Sequence, residues 1–237
     1  MMLLQISSLN VILGGLHILQ DINLHVQEGE LVVVVGANGA GKSTLLRTLS
    51  GMYHPASGTI EFLGEPLEGL HAHTIVSRGL CMVPEGRQLF PELTARENLL
   101  LGAFHYRQDK KRVAANLEKV YTMFPVLKKY EGRIASTFSG GEQQMISIGR
   151  GLMGEPRLMM IDELSLGLAP KIINNLFMVI KELNTSGMSI LLIEQNAKQS
   201  LQIADRAYVL ETGKILLNGT GQELLNNPEV QAAYLGL

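Results

Sequence analysis

The chain has 237 residues, 46% of them hydrophobic, with 20 basic against 22 acidic side chains. That length holds one large α/β unit, or a core with one appended lobe, and leaves two full domains cramped. The net charge of −2 gives no basic surplus to draw the molecule toward nucleic acid or an anionic membrane, and a single cysteine, Cys81, excludes an internal disulfide and fits a reducing compartment.

The opening residues, MMLLQISSLNVILGG, lack the basic segment and the cleavage site of a signal peptide and read as a strand. No apolar run approaches the roughly 18 residues of a membrane span. Through HILQDINLHVQEGE the pattern alternates loosely with period two and is punctuated by Gly14-Gly15 and Glu28-Gly29, which predicts antiparallel hairpins. LVVVV (31–35) is different, because it is apolar throughout and suits a strand buried on both faces. The same holds for LCMVP (80–84), RLMMI (157–161), SILLI (189–193) and AYVL (207–210), whereas 59–63 reads as a further antiparallel strand. Helices lie between these runs. Thr94 with Glu97 makes a capping box, and Pro170 is placed as a first-turn proline. From about Thr94 to Gly154 the pattern is helical with no convincing strand. The expected fold is α/β: residues 1–93 and 155–237 form a parallel core plus an antiparallel part, and 94–154 form an inserted helical part.

Directly after LVVVV comes GANGAGKST, residues 36–44, with the apolar-periodic LLRTLSG behind it. Gly36, Gly41, Lys42 and Ser43 fit G-x-x-x-x-G-K-[ST] in its required strand-to-helix setting. In such a loop the backbone N–H groups of Gly36, Ala37, Asn38, Gly39, Ala40, Gly41 and Thr44 fold round phosphates. Lys42 reaches the β and γ phosphates, and Ser43 offers its hydroxyl to Mg²⁺. The chain is therefore expected to bind a nucleoside triphosphate. RLMMIDEL ends a strand in two carboxylates: Asp162 stands where a P-loop fold holds Mg²⁺, which leaves Glu163 to polarise the attacking water.

FSGGEQQ (138–144) poses a separate question. Ser139 and Glu142 form a capping box for the helix that follows, but a cap requires neither Gly140 nor Gly141. A helix start with serine and bare backbone is an anion site. The chain's own P-loop already surrounds one side of the triphosphate, so the economical reading is that this second cradle closes over the nucleotide of another copy or a homologous subunit.

The order of P-loop, S-G-G and D-E resembles an ATP-binding cassette ATPase over essentially the whole chain. VPEGRQLFPELTARENL (83–99), SLGLAPKI, LLIEQNAKQSLQIADRAYVLETG and NNPEVQAAYLGL are similar to the ATPase subunits of bacterial branched-chain amino-acid importers. The resemblance implies a RecA-like P-loop NTPase core and a head-to-tail dimer in which each ATP lies between one P-loop and the other subunit's Ser139, Gly140, Gly141 and Glu142. It also implies integral-membrane permease partners, an external binding protein acting indirectly, and a peripheral place on the cytoplasmic face of the membrane. Glu85 stands where most cassettes have a γ-phosphate-sensing glutamine and could ligate Mg²⁺. Gln195 replaces the switch histidine and can donate one amide hydrogen bond to the γ-phosphate without titrating. Leu13 occupies the place of an adenine-stacking aromatic, which implies weak discrimination of the base. Leu164 replaces a proline and is expected to alter loop stiffness, and Ala169 replaces an aspartate. Related importers of urea or short amides, and lipid or polysaccharide exporters, share these motors. A soluble cassette acting on nucleic acid or ribosomes fits less well, since 42–139 has no room for a coiled coil.

Overall fold

The alternating N-terminal stretch forms a hairpin of β1 (Met2–Leu13) and β2 (Leu16–Gln27), turned at Gly14 and Gly15. In the computed structural model, which describes residues 1–235, the chain then crosses to a second sheet as β3 (Leu31–Val35). It turns into α1 (Lys42–Leu49) and returns to the first sheet as β4 (Ser57–Phe62) and β5 (Glu65–Pro66). A short α2 (Ala72–Ser77) leads to β6 (Leu80–Val83). Four helices follow, α3 (Ala95–Gly102), α4 (Lys110–Met123), α5 (Pro125–Lys129) and α6 (Gly140–Leu152), before β7 (Leu158–Asp162). Next come α7 (Pro170–Thr185), β8 (Ser189–Glu194), α8 (Ala197–Ile203), β9 (Arg206–Glu211) and β10 (Lys214–Gly219), with two short turns of helix, α9 (Gly221–Leu225) and α10 (Pro228–Val230). The last two residues of the tail motif, Gly236 and Leu237, lie outside the described residues. Among the described residues no helix is long and apolar enough to cross a membrane.

The five continuous apolar runs become neighbours. The larger sheet has the order β10-β9-β3-β8-β7-β6, and β9, β3, β8, β7 and β6 are parallel. The four-stranded sheet β2-β1-β4-β5 is antiparallel. β10 was not among the expected strands. It pairs antiparallel with β9 across Thr212 and Gly213, and only half of its side chains are partly buried, so its apolar signal is diluted.

β3 explains why its five residues are all apolar. Leu31, Val33 and Val35 pack into one core with Leu99, Val120, Ile146 and Ile180. Val32 and Val34 pack into another with Leu4, Ile22, Leu45 and Leu49. Each side chain of a strand points to the face opposite its neighbour's, so a strand between two cores has no solvent face to make polar. The register places Val35 opposite Glu194 and Asp162 opposite Ile193. The ends of β3, β7 and β8 therefore open at one edge of the sheet, where α/β folds carry ligands.

Both expected helix starts are present, the first with its cap. The Thr94 side chain accepts from Glu97 N, and Glu97 accepts from Thr94 N in return. Pro170 occupies the first turn of α7.

Candidate active site

Gly41 immediately precedes α1 with φ 107°, and a Cβ there would approach Leu19 Cδ2 to 2.8 Å. Only glycine meets both conditions. No side chain caps α1, so its first N–H groups remain available to an anion, as a phosphate loop requires. Lys42 is buried, and its Nζ donates to Gly36 O at 2.9 Å and Ala37 O at 3.0 Å. The same ammonium lies 3.4 Å from Glu163 Oε1. The loop's own carbonyls and Glu163 therefore fix the position of the cation.

Beside it, Ser43 Oγ donates to Asp162 Oδ1 at 3.2 Å. Asp162 is 1% exposed, and its Oδ2 has no hydrogen-bond partner among the described residues. A buried carboxylate oxygen left without a donor is costly. A hydroxyl, that orphaned carboxylate and Glu85 nearby form a set of hard oxygen donors that fits Mg²⁺. Burial pushes the Asp162 carboxyl up to about 6; the Ser43 hydrogen bond opposes the shift, while Glu85 and Glu163 add to it.

The sign of the pH effect follows from this shift. A raised carboxyl favours the folded chain fully below its ordinary value near 3.8, and that contribution is lost as pH rises through about 6. Asp162→Asn mimics the protonated form at every pH. In EDTA, the variant's melting temperature should therefore gain on the parent's by roughly 2–4 °C or more between pH 4.5 and 7.5. A difference that stays constant across that interval would remove Asp162 from the titration.

Glu163 has φ 49°, an unusual backbone for a non-glycine residue, and its N–H donates to Ile193 O at 3.0 Å. Such a conformation costs roughly 1–3 kcal/mol and persists only where the surroundings enforce it. Leu164 supplies part of that enforcement, being 1% exposed within the core. The loss of proline at this position was expected to change loop stiffness. The structure buries the leucine in the core, which anchors the loop there.

Lys42, Ser43, Thr44, Glu85 and Glu163 share one cleft of about 600 Å³, with Ile18 and Leu166 among its lining. Within the loop, Gly36 and Ala40 are buried while Ala37, Asn38 and Gly39 are exposed. Leu13 is not on this cleft. It packs, partly buried, against the core that holds β1 and β2, and Ile18, five residues on along the hairpin, lines the cleft instead. No aromatic side chain lines the cleft among the described residues.

Two groups of expected site residues are not part of its lining. Gln195 is exposed just beyond β8. Ser139, Gly140, Gly141 and Glu142 begin α6, where the Ser139 hydroxyl donates to Glu142 Oε2 at 2.8 Å and Glu142 N donates back to Ser139 Oγ at 3.4 Å. The capping box is therefore formed. One of the two glycines also has an internal reason. A Cβ on Gly141 would lie 2.4 Å from Ile172 Cγ2 on α7, so its bareness serves packing as well as any anion.

Residues that local patterns did not reveal hold the loop after Glu85. Gly86, Arg87 and Gln88 all have positive φ, at 70°, 68° and 40°. Ser147 Oγ donates to Arg87 O at 2.9 Å, while Arg150 donates to Gln88 O at 2.8 Å and to Arg87 O at 3.2 Å. The helix that starts at Ser139 thus carries the clasp for the loop that presents Glu85.

A glycine-rich loop between a central strand and a helix, with a buried acid on the strand two places away in the same parallel sheet, defines a P-loop nucleoside-triphosphatase. The chain belongs to the ABC transporter family, whose sequence pattern matches residues 19–165, and it is an ATP hydrolase of that kind. It is 51% identical over 224 residues to the high-affinity branched-chain amino acid transport ATP-binding protein BraG of Pseudomonas aeruginosa, covering 94% of this chain and 95% of that one. A probable branched-chain amino acid transport ATP-binding protein, LivF, of Archaeoglobus fulgidus is 34% identical over 236 residues, with 99% of both chains covered. Among solved structures, the ADP conformation of an ATP-binding cassette of an ABC transporter superposes with a TM-score of 0.87 at 25% identity, covering 100% of both chains.

Proposed function

We propose that the chain is the motor subunit of an importer for branched-chain amino acids, docked on permease subunits at the cytoplasmic face of the membrane and working as a head-to-tail dimer with itself or a homologous ATPase. The observation that carries the hydrolytic reading is the Lys42–Glu163 pair, set beside the Ser43–Asp162 hydrogen bond in one cleft. The solute is inferred from the 51% identical transport protein.

In this reading the backbone of 36–44 wraps the triphosphate and Lys42 neutralises its β and γ oxygens. Ser43, Asp162 and Glu85 would hold Mg²⁺, which supplies charge neutralisation at the phosphates. Glu163 accepts a proton from the water attacking in line with the leaving oxygen, and Gln195 donates to the γ-phosphate. In the dimer, Ser139, Gly140, Gly141 and Glu142 close over the neighbouring subunit's ATP. Closure on ATP and reopening after hydrolysis drive the permease. Reconstitution with its permease subunits and the external binding protein in vesicles tests the solute. ATP-dependent uptake of labelled leucine is expected, and transport of urea or a short amide in its place would reassign it.

The face toward the permease follows from 89–107. Leu89 packs against the core, but Phe90 is 53% exposed. Its backbone is nevertheless pinned on both sides by buried Asn98, whose Oδ1 accepts from Phe90 N at 2.9 Å and whose Nδ2 donates to Phe90 O at 3.0 Å. A fixed backbone presenting an exposed ring suits an anchor for a short helix of the permease. Phe90→Ala should leave ATP binding intact and lower solute-stimulated hydrolysis in the complex by about 30-fold or more, the loss of one hot spot of about 2 kcal/mol. Unchanged stimulation in vesicles would move the docking face elsewhere.

A further inference from the structure

β8 ends in Glu194, which is 0% exposed. None of the salt bridges among the described residues involves it. A buried carboxylate without a cation is expensive, so what this one holds is informative. Oε1 accepts from Ser165 N at 3.0 Å, and Oε2 accepts from Ser165 Oγ at 2.8 Å and from Asn196 N at 3.3 Å. Two of these three donors belong to one residue of the loop that leaves Glu163, and the third lies just past Gln195. Neither oxygen faces the nucleotide cleft in its hydrogen bonding, so the group is placed to hold protein against protein.

We propose that Glu194 is a positioning residue for hydrolysis, clasping the loop after Glu163 to the end of β8 so that Glu163 and Gln195 keep a fixed relation across the γ-phosphate. This rests on the reading of Glu163 as the group that polarises water. The surroundings support it. Glu163 already bonds through its N–H to Ile193 O on the same strand, and its φ of 49° needs a restraint on its far side, which the Ser165 clasp provides. Leu166, the next residue, lies on the cleft, so release of Ser165 would loosen a wall of the site as well as its base. Burial, foremost, raises the Glu194 carboxyl, and the Ser165 and Asn196 hydrogen bonds oppose the shift.

The test compares Glu194→Ala, Glu194→Gln, Ser165→Ala and the double alanine variant in the full chain. Single-turnover hydrolysis is measured alongside binding of a fluorescent ATP analogue and thermal melts. Glu194→Ala should lower kcat about 30-fold, and Ser165→Ala about fivefold to tenfold, with the analogue's Kd changed by no more than about threefold. Because both alanines cut the same clasp, the double variant should be no slower than Glu194→Ala. Glu194→Gln keeps one acceptor oxygen but turns an NH₂ toward one of the two backbone N–H donors, so it should fall between Glu194→Ala and the parent, slowed about threefold to tenfold. If Glu194→Ala fails to fold, the glutamine and serine variants still decide: both slowed at unchanged Kd support the clasp, and both at the parent rate overturn it. Two results would overturn it: kcat within about threefold of the parent in all folded variants, or losses that multiply in the double variant. Glu163→Gln run in parallel separates the two readings. Full hydrolysis there removes the role of Glu163, while the coupling between positions 194 and 165 is judged by its own arithmetic.

Discussion

Glu163→Gln should bind Mg-ATP as tightly as the parent, hydrolyse it about 1,000-fold more slowly, and accumulate as a closed dimer. The rate loss lies within the roughly 10²–10⁴-fold that a positioned general base contributes. Binding should survive because the residues that receive the phosphates are others. Lys42 keeps its two carbonyl partners, Gly36 and Ala37, and glutamine still offers the ammonium an oxygen where Glu163 stood 3.4 Å away. Hydrolysis is what reopens the dimer in the proposed cycle, so blocking it traps the closed state. Gel filtration with Mg-ATP, read against turnover, checks both halves of the expectation. A variant that stays monomeric and turns over at the parent rate would remove Glu163 from the mechanism.

Lys42→Ala should have the opposite character and fail before chemistry. Hydrogen bonds to a charged group contribute roughly 1.5–3 kcal/mol each. Loss of one cation shared by two phosphates should therefore weaken ATP binding by at least about 100-fold, or 2.8 kcal/mol. The variant also leaves Glu163 without its counter-ion, so ATP-induced dimerisation should disappear along with binding. Titration with a fluorescent nucleotide, with a thermal melt to confirm folding, makes the measurement. An affinity within about threefold of the parent would show that the loop's backbone alone carries the phosphates.

Features that announce themselves over a few consecutive residues were legible in the sequence. Val32 to Val34 cannot be read as a half-exposed strand, Gly41-Lys42-Ser43 has no common alternative use, and Thr94–Glu97 spells its own cap. Asp162 and Glu163 could be paired with the loop because a strand end is a fixed place in a parallel sheet. What escaped was contact between segments distant in sequence. Ser147 and Arg150 look like ordinary helix positions until Arg87 and Gln88 are found beside them, about 60 residues earlier in the chain. Glu194 reads as the polar end of a strand until Ser165 closes on it. Ile18 lines the cleft while Leu13 packs on the hairpin's core, a difference that counting along the chain does not reveal. Gly141 could be read only as bare backbone, since Ile172 lies on another helix.

The division of β3 between two cores reaches beyond the strand. A methyl removed at Val33 loosens the wall shared with the helices that carry Ser139, whereas one removed at Val34, the next residue, loosens the wall shared with the N-terminal hairpin. Adjacent valines thus answer to opposite halves of the molecule, yet both support the same turn at Gly36. The phosphate loop is hung like a hinge pin between two leaves, so slack introduced in either leaf is felt where the nucleotide sits.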